Sequence, residues 1–317
     1  LVALDGTEYF SSKKISCPYC RQRKHRNGET TYHHQVITPV IVSPNQKEVI
    51  NLEPEFIRKQ DGTNKQDCEN VAIKRWLSRN SVDNKQPITL LGDDLYSRQP
   101  ICELALKQGY NFIFVSLPSS HQALFEWLEY LNKNGEVNQL ELEQYQLGRK
   151  LSYRYRYING VPIRETEPSL IVNWFEVEVF DPKKQKVIYH NSWITNHHLT
   201  EDKMPQMVVS GRSRWKIENE GNNVLKKQGY HFEHNFGHGQ ENLGEILLAL
   251  NLFSFLCHNV LDLVNYFYQE IRSSLGTRKT FFNDIRALLK YLYFDSWSGL
   301  FTFMLTRNDE PSLINSS

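Results

Sequence analysis

The stretch Ile88-Thr89-Leu90-Leu91-Gly92-Asp93-Asp94-Leu95-Tyr96 decides the fold. Its first five residues carry no charge and end on glycine, the pattern of a short buried strand, and two acids follow at once where the strand must stop. Upstream, Val71, Ile73, Trp76 and Leu77 recur at helical spacing within Gln66–Asn80. Downstream come a second helical segment, Gln99–Gln108, a strand, Asn111–Leu117, and a further helix, His121–Asn132. A helix between two strands of this length is a crossover, so the two strands should lie parallel in one sheet.

Working outward, three strand-like segments open the chain: Leu1–Phe10, Thr31–Val42 and, after the turn residues Ser43-Pro44-Asn45, Glu48–Leu52. Short connections make them an antiparallel meander. Between the first two lies a basic insertion, residues 11–29, with the pair Cys17 and Cys20. From Tyr145 to Asn196 the period becomes alternating, with Tyr153, Tyr155 and Tyr157 on one face and strands at Leu170–Phe180 and Lys186–Ile194 around the turn Asp181-Pro182-Lys183-Lys184. From Pro205 the pattern is helical, with a long segment, Glu241–Ser274, and another, Phe281–Phe294. The expected organisation is an α/β core over 1–144, a β-rich insertion over 145–198, and a helical region over 199–317 that completes the core.

The chain has 317 residues, 40% hydrophobic and 12% aromatic, enough for a substantial core. A net charge of +1 is neutral on nucleic-acid binding, which would have to come from local segregation of Lys and Arg. Five cysteines without regular spacing make no disulfide framework and point to a reducing cytoplasm. The most apolar run, Ile246–Val264, is interrupted by Asn251, Ser254, His258 and Asn259 and reads as a buried helix, not a membrane span. The chain opens directly on a strand without Met, which suggests a piece of a longer protein. It contains neither GxxxxGK[ST] nor GxGxxG, so ATP or NAD dependence has no support.

Asp5 and Asp93 each sit at or near a strand end. Carboxylates on adjacent strand ends can hold two magnesium or manganese ions about 4 Å apart for phosphoryl transfer. Glu218 supplies a third acid, four residues after Arg214, so that the two should share a helix face while Trp215 and Ile217 turn to a core. Consecutive strand side chains point oppositely, so only one of Asp93 and Asp94 can join such a cluster; Glu220 is the corresponding rival of Glu218.

These residues sit in recognisable surroundings: Leu4-Asp-Gly-Thr-Glu-Tyr-Phe-Ser-Ser12, Gly92-Asp-Asp-Leu-Tyr-Ser97, Arg212-Ser-Arg-Trp-Lys-Ile-Glu-Asn-Glu-Gly-Asn-Asn-Val-Leu-Lys-Lys227 and Gly229-Tyr-His-Phe-Glu-His-Asn-Phe-Gly-His-Gly239. In order and spacing the chain resembles the DDE transposases of bacterial insertion sequences. The resemblance implies a ribonuclease-H-like mixed sheet flanked by helices, with an all-β insertion before the Glu-bearing helix. It implies Asp5, Asp93 and Glu218 as catalytic metal ligands for two Mg²⁺ or Mn²⁺ ions. The phosphodiester at a transposon end would be hydrolysed, and the freed 3′-hydroxyl would attack target DNA at the same site. Asp93 is favoured over Asp94 by the family-like Asp-x-x-Tyr spacing. The implied partners are transposon-end and target DNA and a second copy in a homodimer, with no membrane, in a bacterial cytoplasm at the nucleoid. Arg214 carries over as a DNA contact. Gly211 stands where many relatives have Tyr, and Lys226 lies one residue late for the phosphate-binding Lys. A related nuclease and a catalytically inactive DNA-binding derivative are the alternatives.

Cys17-Pro-Tyr-Cys20 has zinc-knuckle spacing, with His25, His33 and His34 available to complete a structural Zn²⁺ site; the alternative is two unligated cysteines. Arg21, Arg23 and Lys24, with Lys13, Lys14, His25 and Arg26, could meet a phosphate backbone or form a solvated hairpin tip. Trp174, Trp193 and the tyrosine stripe read as sheet packing rather than base stacking. The cluster His231, His234 and His238 reads as part of a helix start around Phe236-Gly237-His238-Gly239 rather than a metal site.

Overall fold

A computed structural model describes residues 1–58, 68–82, 87–146, 148–235, 237 and 241–306. The chain divides into two compact units, Leu1–Glu218 and Asn219–Ser317. The first is a mixed α/β unit. Its strands are β1 (Val2–Ala3), β2 (Gly6–Ser12), β3 (Arg21–Lys24), β4 (Thr30–Ile37), β5 (Val40–Ser43), β6 (Gln46–Asn51), β7 (Glu55–Ile57), β8 (Thr89–Gly92), β9 (Asn111–Val115), β10 (Asn138–Gln146), β11 (Arg149–Pro162), β12 (Ile171–Asp181) and β13 (Lys186–Thr195). Its helices are α1 (Glu69–Arg79), α2 (Gln99–Lys107), α3 (Gln122–Lys133) and α4 (Met204–Arg212).

Nine strands form one sheet in the order β10-β11-β12-β13-β9-β8-β1-β5-β6. β1, β8 and β9 are parallel neighbours, as a helical crossover demands, and the other pairings are antiparallel. The segment Tyr145–Asn196 is β, as its alternation implies, and β13 hydrogen-bonds directly to β9, so its strands continue the central sheet. β10 begins at Asn138, ahead of the expected boundary.

Alternation along β9 gives the sheet two buried faces. Phe112 and Phe114 stack at 5.1 Å and join a core with Trp76 of α1, Ile101 of α2, Leu124 of α3 and Trp174. Ile113 and Trp193 face the other way, where Gly211 of α4 approaches so closely that a Cβ there would lie 2.9 Å from the Trp193 indole nitrogen and 3.2 Å from Ile113. Tyr153, Tyr155 and Tyr157 are buried, and Trp174 and Trp193 are almost wholly enclosed, so these rings pack the sheet.

Two segments that read as single strands are broken. Leu1–Phe10 leaves the large sheet after β1 and enters a second sheet as β2; Thr31–Val42 makes the same move between β4 and β5. Pro39 forces the second break because it has no N–H for a ladder, while the Thr38 N–H crosses to the Asp5 carbonyl at 3.1 Å. The second sheet runs β2-β4-β3, with β7 also on β4, so the basic insertion contributes a strand and is more than a hairpin tip.

The unit Asn219–Ser317 contains α5 (Asn223–Lys227), α6 (Leu243–Val264), α7 (Tyr266–Leu275), α8 (Arg278–Tyr291) and α9 (Trp297–Leu305). The single long helix expected over Glu241–Ser274 is two, because Asn265 leaves helical geometry and its side chain caps α7 by accepting the Tyr268 N–H at 2.9 Å. The expectation of a buried helix fails for α6. Leu248, Leu252, Phe255 and Asn259 are buried, but Ile246, Leu250, Phe253, Val260, Leu263 and Val264 are exposed. By length and composition α6 is apolar enough to cross a membrane, as are some core helices of soluble proteins, but most of its apolar stretch is exposed. Within this unit Arg278 is buried and donates to the Tyr230 hydroxyl and the Asp262 carboxylate, both at 2.8 Å, and to Asn259.

Candidate acidic site and cysteine–histidine cluster

Asp5 and Asp93 follow the ends of adjacent parallel strands. Ala3 pairs with Leu91, and the Leu4 N–H donates to the Leu91 carbonyl at 2.8 Å, so the next step along both chains brings the two acids side by side. Burial pushes the Asp5 carboxyl up to about 7. The Arg214 guanidinium opposes that rise, and the charges of Asp93, Glu69 and Glu218 add to it. Asp93 is also raised, mainly by burial, against the Leu95 N–H that its carboxylate accepts at 2.9 Å and against Arg214. The three expected acids and Arg214 thus share one electrostatic neighbourhood. Among the described residues they do not close to the mutual 4.8 Å reached by Cys17, Cys20 and His34, and Glu218 is exposed.

Asp94 points elsewhere. Its carboxylate accepts the Leu117 N–H at 2.8 Å and the Ser120 hydroxyl, tying down the loop after β9. Both acids lie past the end of β8, Asp93 opening a turn closed by the Tyr96 N–H on its carbonyl at 3.1 Å, so the turn and not strand alternation sends the two carboxylates apart.

The Glu218 segment is not the regular α-helix that the Arg214–Glu218 spacing assumes. After α4, tight bonds run from the Lys216 N–H to Ser213 and from the Ile217 N–H to Arg214, both 3.1 Å, and a wide π-helical turn, Ile217–Asn222, follows. The changed winding exposes Trp215, which was expected in a core, and buries Lys216 instead. The Lys216 ammonium donates to the carbonyls of Ser43, Pro44 and Gln46 at 2.6, 3.0 and 2.6 Å, clamping the segment onto the β5–β6 turn.

Glu69, at the first turn of α1, is a site residue that sequence reading missed. Burial raises its carboxyl, while the Tyr96 hydroxyl and the Gly6 N–H donate to it and hold it down. A Cβ at Gly6 would fall 2.5 Å from its Oε2, so glycine lets the carboxylate rest against the backbone beside Asp5, where a larger residue would push it aside. Tyr96 is fully buried, its phenol pushed far above its ordinary range by burial and by Glu69. The Asp-x-x-Tyr spacing was the available signal, since it brings a donor back beneath the strand end.

The expected phosphate contacts are partly engaged within the chain. Arg23 pairs with Glu8 at 2.5 Å, Arg21 donates to Gln35, and Lys24 is exposed. In the other unit Lys226 pairs with Glu233 at 2.9 Å. Glu220 also belongs to that unit. His231 takes a left-handed backbone and His234 is exposed; His238, Phe236 and Gly239 lie outside the described residues.

The second cluster is Cys17, Cys20 and His34. The two sulfurs are 3.4 Å apart and each lies 3.3 Å from His34 Nε2. His33, next to it on β4, is buried with its ring held below the ordinary histidine range by burial, and His25 bonds Thr31 at 2.7 Å. No family model and no curated protein matches this chain.

Proposed function

We propose that the chain is a DNA transposase of the DDE type, with Asp5, Asp93 and Glu218 as its metal-binding acids. The observation that carries this reading is the convergence on Asp5 of Asp93, Glu218 and Arg214, residues far apart in sequence. The run β6-β5-β1-β8-β9, an antiparallel meander followed by two parallel strands, supports a ribonuclease-H-like core. Strands β10–β13, lying between that core and the Glu218 segment, support the β-rich insertion.

The donor set is all carboxylate, which suits hard divalent cations such as Mg²⁺ or Mn²⁺, and a cation would relieve the mutual repulsion that helps raise Asp5. Such ions, when bound, supply Lewis-acid activation and charge neutralisation for phosphodiester cleavage and strand transfer. Arg214 balances the acids and, on this reading, meets a DNA phosphate. Glu69, held by Tyr96 and Gly6, positions the base of the cluster. DNA ends and target DNA are the substrates on this reading, with a homodimer as the active complex in a bacterial cytoplasm.

The test is cleavage of supercoiled plasmid by purified protein with Mn²⁺, with and without EDTA. Asp93→Asn should abolish cutting and leave DNA affinity within about twofold, since affinity comes from many basic contacts. Asp94→Asn keeps an oxygen acceptor for Leu117 and Ser120 and should remain active. An active Asp93→Asn enzyme, or cutting that survives EDTA, would refute the assignment. Cleavage without joining to target would identify the nuclease alternative.

A further inference from the structure

We infer that Cys17, Cys20 and His34 bind one zinc ion, with a water molecule as fourth ligand, and that this ion pins the β2–β3 connection onto β4. A tetrahedral zinc with Zn–S of about 2.3 Å and Zn–N of about 2.0–2.1 Å sets ligand–ligand edges of about 3.5–3.8 Å. The observed edges of 3.3 to 3.4 Å fall within a few tenths of an ångström of that figure. Two thiolates and an imidazole select zinc over magnesium or calcium.

The backbone is shaped for the same purpose. Cys17-Pro18-Tyr19-Cys20 closes a turn in which the Cys20 N–H reaches the Cys17 carbonyl at 3.1 Å, and the Cys17 N–H points at the Cys20 sulfur at 3.3 Å. Amide donors of this kind stabilise a thiolate ligand. His34 is fixed from the side by Tyr9, stacked at 5.6 Å, and by Phe10 at 5.8 Å. Cys20 is buried while Cys17 and His34 are half-buried, which leaves the fourth direction to solvent.

The ligands lie far apart along the chain, two on the β2–β3 connection and one within β4. Binding would therefore fix β3, the strand carrying Arg21, Arg23 and Lys24, against β4, whose other edge pairs with β2, the strand that leads out of Asp5. Arg21 directly follows Cys20, and its charge already lowers the Glu69 carboxyl, so the clip bears on the margin of the acidic site.

The test needs no DNA and is separate from the transposase reading. Purified full chain should carry about one zinc per molecule by atomic emission. X-ray absorption at the zinc edge should show two sulfur and two light scatterers. Cys17→Ser, Cys20→Ser and His34→Gln should each lose at least tenfold in zinc affinity, whereas Cys257→Ser should retain it. Co²⁺ titration of metal-free wild type supplies a readout without any variant, through a thiolate charge-transfer band in the near ultraviolet. Absence of both zinc and that band overturns the proposal. So does a Cys17–Cys20 disulfide by mass, or a first shell of four sulfurs.

Discussion

Replacing Asp5 by Asn should make the protein more stable at alkaline pH while removing a ligand of the proposed metal site. The Asp5 carboxyl rises from its ordinary 3.8 to about 7 in the fold. At about 1.4 kcal/mol per pH unit, ionising it costs the folded state about 4 kcal/mol more than the unfolded chain. A raised acid holds its proton longer in the folded state, so stability falls as pH climbs from 3.8 towards 7 and is level above. Asn carries no charge and escapes the loss. The variant's advantage over wild type should be about 4 kcal/mol at pH 8, less than half of that at pH 5, and near zero below pH 3.5. For a unit the size of Leu1–Glu218 this corresponds to a rise in midpoint on the order of 10 °C at pH 8. The measurement is thermal and urea unfolding of both proteins in EDTA across that pH range. Adding Mn²⁺ at about a hundred times its dissociation constant should return about 2.7 kcal/mol to wild type and nothing to the variant. A variant no more stable than wild type at pH 8 would refute the reasoning.

Lys216→Met removes the one ammonium that satisfies three carbonyls; because those carbonyls lie on a partly exposed turn and can be rehydrated, the loss should be about 2 kcal/mol in urea unfolding rather than the full sum for three buried acceptors. Lys216→Arg should not rescue it, since three converging acceptors suit a compact ammonium better than a planar fork. Gly211→Ala brings a Cβ to 2.9 Å from the enclosed Trp193 ring, and that overpacking, about 1–3 kcal/mol, should exceed the roughly 1 kcal/mol gained in helix propensity. A stabilised Gly211→Ala protein would mean that α4 does not seat on Trp193.

The strands and helices from α1 through β13 were legible because apolar period and turn residues agree there: Ile88–Gly92 is β8 within a residue, and Asp181 accepts the Lys183 and Lys184 N–H groups of the expected turn. What escaped was decided by tertiary contacts. Leu1–Phe10 has a strand pattern on both sides of Asp5, and the Asp5-Gly6 turn dipeptide is a local mark of the break that does not say the chain changes sheets there. Trp215 and Ile217 were turned to a core by helical spacing; Ile217 is buried, but the altered winding around the π-turn exposes Trp215 and buries Lys216. Glu69 looks like an ordinary acid in a helix's first turn; only the close approach of Gly6 and Tyr96 marks it out.

Those hidden features share a cause. A half-buried carboxylate pair at adjacent strand ends repels itself and is only partly hydrated, so an unsupported strand end would relax outward until the acids were fully solvated. Each feature that sequence period missed opposes that relaxation. The Thr38 N–H holds the Asp5 carbonyl from the opposite crossing of the two sheets. Glu69 spans Gly6 and Tyr96, one residue on either strand's continuation. Lys216 anchors the segment bearing Arg214 and Glu218 to a turn of the same sheet, while Gly211 seats the preceding helix against Trp193. Arg214 then supplies a nearby positive charge that lowers both acids. The fold therefore keeps the acids close in spite of their repulsion, and a bound divalent cation would convert that stored repulsion into affinity.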